Sequence, residues 1–233
     1  MARRTLVLIP PSEGKASGGD GPPYEAGTLV LPELDAARGR VLAALGRRHP
    51  AATEPTLAAA DRYTGVLYRE LAPRTMAAPA RRRFARTTLT VSGLWGVVAP
   101  EDPVPEYRLK MAANLPPLGK LSTWWRPQLT SALAPRVRGA LVWDLLPIEH
   151  AAALDWSALA PARRVTVRFV DPAGKTVSHW NKLLKGSLVR WLAETGSTDL
   201  DDLAAFEHPQ GYRYEPAATV VDGTHHALIF RAR

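Results

Sequence analysis

VSHWNKLLKGSLVRWL, residues 177–192, carries two patterns at once. Trp180, Leu183, Leu184, Leu188 and Trp191 recur at helical spacing and form one apolar stripe, which predicts a helix packed along that side. Lys182, Lys185 and Arg190 ride on the same helix, and Gly186 lies off the stripe. A glycine inside a helix costs roughly 1 kcal/mol relative to alanine. Something is therefore expected to approach the backbone at Gly186, either another helix or a nucleic-acid strand. The cations have two readings, a solvated outer face or a basic edge aimed at an anionic ligand.

A stripe of this kind needs a surface to cover, and the flanking sequence supplies strands. RVTVRFV (164–170) precedes the helix, and Asp171-Pro172-Ala173-Gly174 joins it to KTVSHW with good turn chemistry, which predicts a hairpin. ATVV and HHALIF flank Asp222-Gly223 and predict a second hairpin. Towards the amino terminus, TLVLI (5–9), TTLTVSG (87–93) and ALVWDLL (140–146) read as buried strands. LPELDAARGRVLAALGRR (31–48) reads as a helix with Leu34, Val41, Leu42 and Leu45 on one side. Helix and strand alternate along the chain without a Ser/Gly linker. The pattern predicts one α/β domain over residues 1–233, with a mixed sheet, flanking helices and antiparallel edges made by the hairpins.

Composition narrows the function. There is no cysteine, so disulfides, thiolate metal sites and thiol redox chemistry are excluded. The six His are scattered, and the pair His225-His226 sits in a strand-like run where neighbours point to opposite faces. No metal site and no cofactor is expected. No apolar run approaches the ~20 residues that cross a bilayer, and MARRTLVLIPPSEGK reads as a first strand and not as a signal peptide. A soluble, cytoplasmic protein without a membrane partner is the expectation. The net charge of +8 favours polyanions, although a chain rich in Ala, Arg, Pro and Gly also owes part of its arginine to composition.

Several segments carry candidate chemistry. IPPSEGKASGGDG leaves the first strand with glycines and Lys15, but Ile9 and Ala16 occupy the positions where a phosphate loop needs its first glycine and its magnesium-binding hydroxyl. An anion-binding Lys15 on a loop fits better. VSGLWGVVAPEDPVPEYRLKM (91–111) places Glu101, Asp102, Tyr107 and Arg108 in a proline-stiffened loop, with Trp95 suited to the core. NLPPLGKLSTWWRPQL (114–129) holds a short turn of the kind found in helix-hairpin-helix elements. There Pro117 lacks the amide proton that would face a phosphate. Trp124-Trp125 suit either the core or a stacking platform for bases. WDLLPIEH (143–150) ends a strand with Asp144, Glu149 and His150, a place where α/β proteins put ligand chemistry. Tyr107, Glu149 and His150 are the candidate proton donors and acceptors if the protein is an enzyme.

In combination, PPSEGK, RYTGVLY, SGLWGVVAPEDPVPEYRLKM, STWWRPQL, WDLLPIEH and VSHWNKLLKGSLVRWL resemble, in order, the blocks of the YaaA family of bacterial peroxide-stress proteins. The resemblance implies a cytoplasmic α/β protein with a helix-hairpin-helix element beside a basic cleft that binds DNA. It also implies a role in limiting oxidative DNA damage and unincorporated iron. Lys15, Tyr63, Arg108, Lys182, Lys185 and Arg190 fall in the matching blocks and are the candidates to line that cleft. A small phosphorylated or carboxylated metabolite, turned over in the same cleft, is the alternative ligand. Trp95 stands where the family's SGLYG has tyrosine, Lys110 where glutamate is common, and DLLPIEH replaces the usual strand end.

Overall fold

The computed structural model describes residues 4–46, 49–208 and 210–233, with the side chains of 178–180 excepted. Among the described residues twelve strands form in chain order: β1 (Thr5–Ile9), β2 (Thr56–Ala58), β3 (Thr88–Ser92), β4 (Gly96–Val98), β5 (Pro103–Pro105), β6 (Asn114–Leu115), β7 (Gly119–Lys120), β8 (Leu141–Asp144), β9 (Arg163–Val170), β10 (Tyr212–Tyr214), β11 (Val220–Asp222) and β12 (His225–Ala232). Seven α-helices accompany them: α1 (Asp35–Leu45), α2 (Ala59–Arg62), α3 (Val66–Leu71), α4 (Ala78–Thr87), α5 (Leu121–Val137), α6 (Ile148–Ala151) and α7 (Ser178–Thr195).

Eight strands make one mixed sheet in the order β10-β12-β9-β8-β1-β3-β4, with β11 also on β12. The centre is parallel: β1 pairs β3 through Val7↔Thr88 and β8 through Leu8↔Asp144, and β9 continues from β8 and β12 from β9. Both edges are antiparallel, β4 on one side and β10 with β11 on the other. β1, β3 and β8 are buried along nearly their whole length because a strand in the middle of a sheet is covered on both faces, and in β3 this includes the polar Thr88, Thr90 and Ser92. The hairpin at Asp222-Gly223 forms as its turn residues predict, with Asp222 opposite His225.

Three expectations change. KTVSHW is not a strand; only a Val170↔Thr176 bridge closes the Asp171–Gly174 turn, and α7 begins at Ser178. The turn chemistry was right, but the helical stripe claimed the residues after it. The 31–48 helix opens with a 3-10 turn at Pro32–Leu34 and ends at Leu45, while Arg47 and Arg48 lie outside the described residues. LPPLGK forms the β6–β7 hairpin, with Leu115 opposite Gly119, directly before α5. Residues 106–113 before it are not helical, so this turn does not join two helices.

In α7, Leu184 and Leu188 are buried while Leu183 and Trp191 are half-buried; Trp180's side chain lies outside the described residues. Gly186 meets α3: a Cβ there would stand 2.3 Å from the Leu67 carbonyl oxygen. The close approach is therefore helix on helix. Around the β3–β4 turn, Gly96 takes φ 68°, and a Cβ on it would lie 2.7 Å from the Trp125 ring. Trp95, Trp125 and Trp143 are all sealed in the core.

Candidate functional site

The chain leaves β1 towards β3 on one side and later returns to β8 on the other. The carboxyl ends of β1 and β8 therefore form a topological switch point, where connections diverge and open a crevice. Pro10–Lys15 follows β1 there, and Leu145–His150 follows β8.

The loop after β1 is held firmly. The backbone of Lys15 bridges that of Tyr63, and the Ala16 amide donates to the Arg62 carbonyl at 2.8 Å. The Thr64 amide donates to the Ser12 hydroxyl at 3.0 Å. Arg62 is fully buried, and its guanidinium donates to the carbonyls of Ala16, Gly18 (2.7 Å), Pro55 (3.1 Å) and Val104 (2.9 Å). No carboxylate pairs with it among the described residues. One interior cation thus ties the loop to β5 and to the segment entering β2.

Lys15 is the side chain this clamp presents. Its amine donates to the Ser12 carbonyl at 2.9 Å and lies 4.2 Å above the centre of the Tyr107 ring. Burial pushes its pKa down to about 8, with Glu106 opposing and Arg108 reinforcing the shift. Beneath it the Tyr107 hydroxyl joins those of Ser92 (2.7 Å) and Tyr63 (2.9 Å). Burial raises Tyr107 to about 12 and Tyr63 well above its ordinary value, so both phenols stay neutral. Tyr63 is buried and supports Lys15 from within.

Three cations stand free of the interior. Arg108, Lys110 and Lys182 are exposed. Lys110 pairs with Glu13 at 2.8 Å. The Glu13 carboxyl is held below its usual range first by that hydrogen bond and the Lys110 charge, then by Lys182 and Lys15. The charges of Lys110, Lys182 and Lys15 therefore all act on Glu13, in the loop after β1.

The other predicted cations turn inward. Lys185 donates to the Leu145 carbonyl at 3.0 Å, and burial lowers its pKa against the pull of Asp144. Arg190 donates to the carbonyls of Leu71 and Ala72 (3.2 Å each) and to the Thr75 hydroxyl (2.8 Å), which closes the end of α3, and it pairs with Glu194. Beside the crevice, Asp144 is buried under Arg164 at 2.6 Å, whose guanidinium stacks 4.1 Å above Trp156. On α6, Glu149 is exposed and His150 is buried, with 3.8 Å between them, too long for a hydrogen bond. Burial lowers His150 to about 4. Arg62 and Arg164 organise this region and have no local sequence signal, because their partners are distant carbonyls and a carboxylate on another strand. A cavity of about 420 Å³ opens against Tyr107 and Arg108, lined also by Gly18, His49, Glu54 and Glu106 among others. Among the described residues, no group of three His, Asp or Glu side chains stands close enough to hold a metal.

The fold is that of an α/β protein with several lysines gathered near the carboxyl end of its central strand β1. Residues 35–218 match the family profile of the peroxide stress protein YaaA. A UPF0246 protein of Streptomyces coelicolor is 40% identical over 218 residues, covering 82% of this chain and 84% of the relative. UPF0246 proteins of Corynebacterium efficiens (33% over 218 residues) and Corynebacterium glutamicum (35% over 214 residues) each cover 81% of this chain and 84% of their own length. The chain belongs to the YaaA family of peroxide stress proteins, which also carries the designation UPF0246. No helix among the described residues is long and apolar enough to cross a membrane.

Proposed function

We propose that the chain serves its family's peroxide-stress role by binding DNA through phosphates at the rim between β1 and β8. The observation that carries this reading is the convergence of Lys15, Lys110 and Lys182 on the loop after β1, with Arg108 beside them. Lysines gathered around a firmly held loop contact phosphate without reading sequence. The +8 charge of the chain adds attraction at longer range. Lys185 and Arg190 are left out of the proposed contact set, since each turns inward and donates to carbonyls of the fold.

Fluorescence anisotropy with labelled duplex, across a salt series, tests the reading. Affinity should fall by roughly 0.9 log units per phosphate contact for each log unit of salt. Lys182→Ala should lower both affinity and slope for every sequence, while Arg190→Ala should act on stability instead. Absence of binding at low salt by the folded protein overturns the proposal. A second reading is favoured by the 420 Å³ cavity against Arg108 and Tyr107, which suits a small phosphorylated or carboxylated metabolite. Such a ligand would bind with a shallow salt dependence and be displaced little by duplex.

A further inference from the structure

We infer that Lys15 is a nucleophilic amine, which forms an imine with the aldehyde of a phosphate-bearing sugar seated at the rim. The inference rests on the phosphate-binding reading of Arg108, Lys110 and Lys182 and assigns chemistry to the group in their midst. Its geometric basis is the effort spent on one side chain. Arg62, fully buried and without a carboxylate partner, fixes the carbonyls of Ala16 and Gly18. The hydroxyl of Ser12 takes the Thr64 amide, and the Lys15 backbone bridges Tyr63. The amine so placed rests on the face of Tyr107 at 4.2 Å, and no carboxylate forms an ion pair with it among the described residues.

The charged groups facing it are Glu106, Arg108, Glu13 and Arg62, over the neutral phenols of Tyr63 and Tyr107. With burial setting its pKa at about 8, the neutral amine is roughly 300-fold more abundant at pH 7 than on a lysine of pKa 10.5. In the reaction the nitrogen lone pair attacks the carbonyl carbon, and the C=O electrons move to oxygen, which takes a proton. Loss of that hydroxyl as water, with the remaining nitrogen proton, leaves the C=N bond. No oxidant or reductant is needed. The neighbouring cations hold the phosphate of the substrate, and the aldehyde has two possible sources, a small sugar phosphate or an abasic site in DNA.

Reductive trapping with cyanoborohydride, followed by peptide mass spectrometry of the wild-type protein, is the test. The probes are glyceraldehyde 3-phosphate, glyceraldehyde and a duplex oligonucleotide with one abasic site. Adduct should concentrate on Lys15 among the six lysines. Its rate should rise about tenfold per pH unit and level off near pH 8. Lys15→Arg should lose the adduct while keeping the native circular dichroism spectrum. Adduct spread evenly over the lysines overturns the inference. Equal trapping of the two glyceraldehydes on Lys15 leaves the nucleophile standing and overturns the phosphate-binding reading of the rim. Trapping of the abasic duplex on Lys15 assigns the aldehyde to DNA, and trapping of the triose phosphate alone assigns it to a metabolite.

Discussion

Arg38 and Arg62 are both sealed in the interior, and the fold neutralises them differently. Arg38 pairs with Asp35 at 2.6 Å and also donates to the carbonyls of Val30, Leu31, Trp95 and Val97. It joins α1 to the β3–β4 hairpin, inside the structural half of the molecule. Arg62 has carbonyls alone, and what it holds is the loop that presents Lys15. An arginine cannot shed its proton, so a buried one needs either an anion or a full set of acceptors. The first arrangement serves stability; the second leaves a net positive charge near the site, where an anionic ligand benefits from it. His150 shows a third solution. It is buried as a neutral ring, because burial drops its pKa to about 4.

The sharpest way to break the contrast is to remove each guanidinium. Arg38→Met should cost about 4 kcal/mol, since it strands Asp35 and several buried carbonyls at once. Urea unfolding would measure it, and phosphate binding at the rim should survive in the folded fraction. Arg62→Met should cost less, about 3 kcal/mol, for there is no orphaned carboxylate. Here the rim should fail too: anion affinity and Lys15 trapping should both drop. If Arg62→Met unfolds more easily but binds and traps as before, the loop does not depend on its clamp and the contrast dissolves.

These two residues also mark where the sequence stops being informative. The central strands, α7 and the Asp222-Gly223 hairpin follow from local patterns, because period, burial and turn chemistry all lie within a few residues of one another. Gly186 was readable as a close approach, since its cost in a helix demands compensation; that the visitor is α3 required the tertiary fold. Lys182 and Arg190 look alike in sequence and sit two turns apart on one helix. Lys182 reaches solvent because the rim opens there, and Arg190 is consumed by the end of α3. Tyr63 and Tyr107 lie far apart along the chain, and their hydroxyls meet at 2.9 Å only after β5 and α2 pack together. The burial of Arg62 had no signal at all, because its partners are backbone oxygens, which every residue has.

The neutral-ring solution has a pH signature. The folded chain resists protonating His150 until about pH 4, whereas the unfolded chain takes the proton near 6.5. Between those values the unfolded state binds more protons, so stability falls as the pH drops from 6.5 to 4 and then levels off. The shift corresponds to at most about 3 kcal/mol. A loss of about 2 kcal/mol is expected, since the exposed Glu149 carboxylate, 3.8 Å away, can swing in to meet the new cation. His150→Gln should flatten the curve of urea midpoint against pH across that window. An unchanged slope would place the acid sensitivity elsewhere, and His150 would drop out of the comparison.

Lys15 gives the smallest effect on stability and the most telling one. Like His150 it is a base whose proton is disfavoured by burial, but with a pKa of about 8 it still carries that proton through most of the time at neutral pH. Below pH 8 the folded chain therefore bears a cost that the unfolded chain does not. Lys15→Met removes the charge and keeps the length of the side chain over the Tyr107 ring. At pH 7 it should gain about 1 kcal/mol, the lost bond to the Ser12 carbonyl offsetting part of the relief. The gain should shrink from pH 8 to 10.5, where wild-type folding ceases to work against the proton. A more stable variant that no longer binds phosphate or traps aldehydes would mean that the fold gives up stability to hold this amine. A destabilised variant would make Lys15 a structural lysine after all, and Arg62 would then serve the core as Arg38 does.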